Sequence, residues 1–65
     1  MDIKYKKVFM EMNQHKERIE HLAVLLGVSD VTVRNKLSGV SDWTISEIRE
    51  LCAHYSMTFE ELFNE

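Results

Sequence analysis

The sequence predicts an all-α fold: five short helices packed as one compact domain over residues 1–65. Three observations carry that expectation. The 65 residues include no proline and two glycines, so little interrupts helix. Apolar residues recur at three- and four-residue spacing in successive blocks. One device for starting a helix also appears three times. A serine or threonine oxygen takes free backbone N–H groups, and an apolar residue just before it packs on one a turn later.

The first helix is read from Tyr5, Val8, Phe9 and Met12, which share one face. The second carries Ile19, Leu22, Ala23, Val24, Leu25 and Leu26 as an apolar stripe and ends at Gly27, suited to the left-handed conformation that closes helices. The join between them, "NQHKER", contains no sharp stop signal. The third begins at "VSDVTV", where Ser29 caps, Asp30 complements the helix dipole and Val28 packs on Val33. After Gly39 and the loop "VSD", the fourth starts at "WTISEI", with Thr44 as cap, Glu47 closing the capping box and Trp43 packing on Ile48. It runs to about residue 55 with Ile45, Ile48, Leu51, Cys52 and Tyr55 on its core face. The last, 59–63, starts at "MTFEEL", where Thr58 caps, Glu61 closes the box and Met57 packs on Leu62.

A domain of this size buries only about 60% of its unfolded surface. That leaves no room for an enclosed catalytic cavity, and no nucleophile–base pair or carboxylate dyad can be assembled, so a binding module is expected rather than an enzyme. The single cysteine, Cys52, excludes an internal disulfide and reads as a small core hydrophobe. His15, His21 and His54 lack metal-ligand spacing, so no metal or other cofactor is expected. The start, "MDIKYKKVF", has no apolar run long enough for a signal peptide or membrane helix, which gives a cytoplasmic expectation without a membrane partner. The net charge of −3 is unevenly spread: residues 1–38 carry +2, with Lys4, Lys6 and Lys7 clustered, and residues 39–65 carry −5.

The decisive stretch is "LGVSDVTVRNKLSG", 26–39, a tight turn into a helix that buries little. Ala23 lets the second helix cross the first closely, Gly27 takes a positive φ, and Val28 and Val33 anchor the second at a steep angle. That helix–turn–helix, about 18–38, leaves the second helix protruding, with a face free to enter a major groove about 12 Å wide. At about 100° per residue, Val33 and Leu37 centre the buried side. Val31, Thr32, Asn35 and Ser38 lie opposite, flanked by Asp30 and Arg34 on one edge and Lys36 on the other.

The segment "IEHLAVLLGVSDVTVRNKLSGVSDWTISEI", with the trailing "HYSMTFEELF", resembles the helix-turn-helix domain of phage repressor and Cro-type (lambda-repressor-like) regulators over roughly residues 18–63. The resemblance implies a five-helix DNA-binding domain whose third helix reads bases in a double-stranded operator, often as a homodimer on a pseudo-palindromic site. Three positions depart from the pattern. The family's cap and phosphate-holding glutamine at the start of the second helix are here Arg18 and Ile19, and a usual apolar core position is Lys36.

On DNA, Asn35 is expected to take an adenine, Val31 a thymine methyl, Asp30 a cytosine amine and Arg34 a guanine. Arg18, Ser29, Thr32, Lys36, Ser38, Lys4 and Lys7 are expected on phosphates. Plainer roles stand beside these. Asp30 serves the dipole and an i,i+4 pair with Arg34, Val31 is a scattered exposed apolar residue, and the lysine cluster is a solvated face. Met10, Met12 and Met57 fill core, and Phe59 and Phe63 are candidates for a two-fold contact. The acidic total and Asp30 also support an alternative, an antirepressor-like module that grips a partner repressor protein and masks it.

Overall fold

A computed structural model describes residues 2–64 as five helices with no strand among them: α1 Lys6–Gln14, α2 Ile19–Leu26, α3 Asp30–Ser38, α4 Ile45–Tyr55 and α5 Phe59–Phe63. All three capped starts fall where the sequence puts them. The Ser29, Thr44 and Thr58 hydroxyls accept from the N–H groups of Thr32, Glu47 and Glu61, at 3.2, 3.1 and 3.1 Å. Glu47 and Glu61 return the bond to Thr44 N and Thr58 N, completing two capping boxes.

The helix ends share a second device. Lys16, Gly27, Gly39 and Ser56 each take a positive φ, between 54° and 89°. The next residue's N–H then reaches back five positions: Glu17 to Met12, Val28 to Ala23, Val40 to Asn35 and Met57 to Cys52, at 2.9–3.0 Å. Glycine meets this requirement without strain at two of the four. At Lys16 a side-chain-bearing residue adopts the left-handed turn because its neighbour Glu17 is held from across the domain: Tyr55 Oη donates to Glu17 Oε1 at 2.9 Å, and His54 Nε2 lies 2.6 Å from Oε2. This tie closes the α1–α2 junction against the end of α4.

The Glu17 carboxyl is pushed up by burial, but the bonds from His54 and Tyr55 outweigh that effect and hold it below its ordinary 4.5. Its stabilisation is therefore present above pH 4.5 and lost as pH falls through the lower folded value. Glu17→Gln should lower the melting temperature by about 4–8 °C at pH 7, the shift that accompanies ~1 kcal/mol in a domain of this size. A melting series from pH 7 to pH 2 checks this, with the gap between variant and wild type closing below pH 4.5.

The core is Val8, Met12, Leu22, Ala23, Val33, Leu37, Leu51, Tyr55 and Leu62. Three residues expected inside stand outside. Met10 is 55% exposed, because Val8 and Met12 fix the buried side of α1 and Met10 lies about 200° round from each. Val24 is 83% exposed, because Leu22 and Ala23 fix the buried side of α2 and Val24 lies about 200° round from Leu22. Ile45 is 70% exposed, although Leu51 and Tyr55 of the same expected face are buried, because Glu47 takes the inward place in the first turn of α4. Trp43 packs edge-on to Tyr5 and Phe63, with ring centroids 5.9 and 5.8 Å away. The N-terminal segment lies across the end of α3, where Lys4 N and Tyr5 N both donate to Leu37 O, at 2.9 and 3.1 Å. Gly39 takes a φ of 89°, which glycine adopts without strain, and the flexible Lys4 side chain lies over it, with Cδ 2.7 Å from where a Cβ would stand.

Candidate nucleic-acid interface

Helix α3 is held by one edge. Val33 and Leu37 have no exposed surface, and α2 is its main support, crossing close at Ala23 with the turn reversed at Gly27. The opposite edge is open: Val31 is 60% exposed, Asp30 and Arg34 are exposed, and Thr32, Asn35 and Ser38 are half-buried. Among the described residues the Arg34 guanidinium and the Asn35 side-chain amide make no hydrogen bond, and Asp30 and Arg34 form no ion pair. Asp30 sits in the first turn of α3, where its charge opposes the positive end of the dipole.

The hydroxyls on this face are partly committed. Ser29 Oγ and Thr32 Oγ1 share one hydrogen bond of 2.8 Å, and Ser29 Oγ also accepts from Thr32 N. Two hydroxyl protons serve one shared bond, so one remains to donate outward. Ser38 Oγ donates to Asn35 O at 3.1 Å. Its proton is thus bonded within its own helix.

Arg18 is brought to α3 from the far side of the turn. It is the residue preceding α2, and an open cleft of about 300 Å³ is lined by Arg18, Ile19, Glu20, Asp30 and Arg34. Residues from the first turns of α2 and α3 and two arginines therefore border the same space. Glu20 and Asp30 balance the two cations, leaving a cleft that is polar rather than strongly positive. At the start of α2 Arg18 N donates to His21 Nδ1 at 2.9 Å, so an imidazole does the work that a glutamate or glutamine does in the reciprocal half of a capping box.

The other expected phosphate holders lie elsewhere. Lys36 is 6% exposed, and its ammonium donates to Glu47 Oε1 and to Asp42 O. It fills the core position that the repressor pattern gives to an apolar residue and is not available to a phosphate. Lys7 Nζ donates to Asn64 O at 2.9 Å, on the seam between α1 and α5. The Lys4 stem packs on Gly39 and its ammonium stands 5.4 Å from the Tyr5 ring centroid, at the C-terminal end of α3. Of the predicted set, Arg18, Asp30 and Arg34 line one cleft, and Val31 and Asn35 lie along the outer side of α3.

Sequence reasoning missed Glu20 in the lining of the cleft, the bond from Arg18 N to His21, and the second role of Glu47. The signal for His21 was its place three residues after Arg18; for Glu47 it was a lysine standing where α3 needs an apolar side chain. Phe59, 55% exposed, stacks on Phe63 at 5.6 Å on the opposite side of the sequence's charge divide. Among the described residues no group of three or more histidine, cysteine or acidic side chains is placed to hold a metal ion, and no helix is long and apolar enough to cross a membrane. The chain matches no protein-family model, no curated protein and no solved structure.

Proposed function

We propose that this chain is a sequence-specific regulator that binds double-stranded DNA, of the phage repressor and Cro type, with α3 in the major groove. One observation carries the reading: α3 is packed to zero exposure along Val33 and Leu37, while on its other edge Val31 is 60% exposed and the Arg34 guanidinium and Asn35 amide make no hydrogen bond among the described residues. That edge holds the side-chain types that distinguish bases, a guanidinium for guanine, an amide for adenine and a methyl-bearing residue for thymine. Arg18 and the spare hydroxyl proton of Ser29 and Thr32 hold the flanking phosphates.

Selection from random duplexes followed by gel-shift titration tests it. Asn35→Ala should weaken binding to the selected duplex by about 5–150-fold, the equivalent of one lost base contact, and leave binding to a random duplex nearly unchanged. Equal loss on both duplexes contradicts base reading by Asn35.

The charge balance of the cleft favours a second reading, a module that masks a partner repressor protein. Glu20 and Asp30 beside Arg18 and Arg34 suit a mixed-charge protein surface better than a phosphate backbone, and the chain is −3 overall. Binding to a repressor-type domain with no affinity for any selected duplex would support this reading over the first.

A further inference from the structure

Lys36 is buried in the structure, one turn from Val33 and beside Leu37, although the period of α3 puts it at the edge of the buried side. Its ammonium is fully engaged there. It donates to Glu47 Oε1 and to Asp42 O, at 3.1 Å for the latter, and lies 6.0 Å from the centroid of the Trp43 ring. Glu47 Oε1 simultaneously accepts from Thr44 N at 2.8 Å. One carboxylate oxygen thus closes the start of α4 and takes the lysine of α3.

The intervening loop, 39–44, is fixed at both ends by this arrangement. At the α3 end, Val40 N and Ser41 N both donate to Asn35 O, at 2.9 and 3.1 Å. At the α4 end, Asp42 O and Thr44 N meet the Lys36–Glu47 pair. Asn35 therefore carries the loop on its carbonyl and presents its side-chain amide on the outer edge of the helix.

Stability alone does not account for ions at this place. Two well-packed apolar side chains of similar volume are often as stable as a buried ion pair, or more so. Apolar contact tolerates sliding and rotation, whereas a carboxylate shared between an ammonium and a backbone N–H accepts a narrow range of directions. The difference lies in geometry.

We propose that Lys36 and Glu47 are a positioning pair that sets the attitude of α3 and of the 39–44 loop, and through them how sharply the outer edge discriminates between duplex sequences. The second half of this statement rests on the DNA-binding reading above. The first half stands on the domain alone.

Lys36→Met combined with Glu47→Gln tests both halves, because glutamine still closes the capping box while the ion pair is gone. In amide exchange on the folded double variant, Val40 and Ser41 are expected to exchange about tenfold faster than in wild type, with Val8 and Leu51 nearly unchanged. The preference for the selected over the random duplex should fall about tenfold, with affinity for the random duplex within about twofold. Unchanged exchange at Val40 and Ser41 overturns the proposal, as does faster exchange with an unaltered duplex preference. Should the double variant not fold, Lys36→Arg decides. It keeps the charge and changes the bond directions, so faster exchange at Val40 and Ser41 supports positioning and unchanged exchange refutes it. A wild-type chain with no preference for any duplex removes the DNA reading, and the exchange measurement then still decides the positioning claim.

Discussion

Lys36→Met alone is expected to cost about 3–5 kcal/mol, because it leaves the Glu47 carboxylate inside the domain without its counter-ion. A chain of 65 residues has roughly 3–10 kcal/mol of stability in total. The single variant should therefore be largely unfolded at room temperature, or melt far below wild type. Both side chains are about nine-tenths buried, so little water reaches the abandoned charge. Adding Glu47→Gln should recover much of the loss, since the double variant buries no uncompensated ion. Far-UV circular dichroism during urea or thermal denaturation of wild type, both single variants and the double variant closes the cycle. A Lys36→Met protein as stable as wild type would show that this lysine does not live inside the domain.

The second large effect sets two apolar residues of the same helix against each other. Leu37→Ala removes a side chain with no exposed surface from the contact between α3 and the rest of the core, and should cost about 2–5 kcal/mol. Val31→Ala trims a side chain that is 60% exposed and should change stability by no more than about 0.5 kcal/mol. Binding should rank them the other way once folding is accounted for. The lost methyl contact in Val31→Ala should weaken the selected duplex by about fivefold, close to 1 kcal/mol. Denaturation midpoints and gel-shift titrations on the same preparations check both orders. If the valine proves as costly to stability as the leucine, the outer edge of α3 is packed within the domain and has nothing to offer a groove.

Helix starts were legible because their determinants are local. Ser29, Thr44 and Thr58 each act on an N–H group three residues away, so both partners of each bond lie close together in the sequence. Ends were legible where glycine marks them, at Gly27 and Gly39, and illegible at Lys16 and Ser56, where side-chain-bearing residues take the same left-handed turn. At Lys16 the stop depends on Glu17 reaching His54 and Tyr55, more than thirty-five positions on, which no local window contains.

The outer edge of α3 was legible for a related reason. A helix with few apolar residues announces its exposed side, and 100° per residue then places Val31, Arg34 and Asn35. Lys36 was misplaced because charge was taken as exposure. The ammonium goes inward only because Glu47 and Asp42 meet it there, a tertiary fact. The same exchange explains Ile45: once Glu47 claims the inward position at the start of α4, the isoleucine two residues earlier must face solvent. The clamp of Lys4 and Tyr5 on Leu37 O, and the meeting of Arg18 with Arg34 across a cleft, also arise from packing and carry no motif.

The most direct test of the central claim is an NMR titration of the isotopically labelled chain with its selected duplex, following backbone amides and the Asn35 side-chain amide. The account predicts that the shifts concentrate on residues 29–35, the Asn35 amide and Arg18, with Phe59 and Met10 unmoved. Shifts confined to other surfaces, or a duplex bound with residues 29–35 silent, would contradict it.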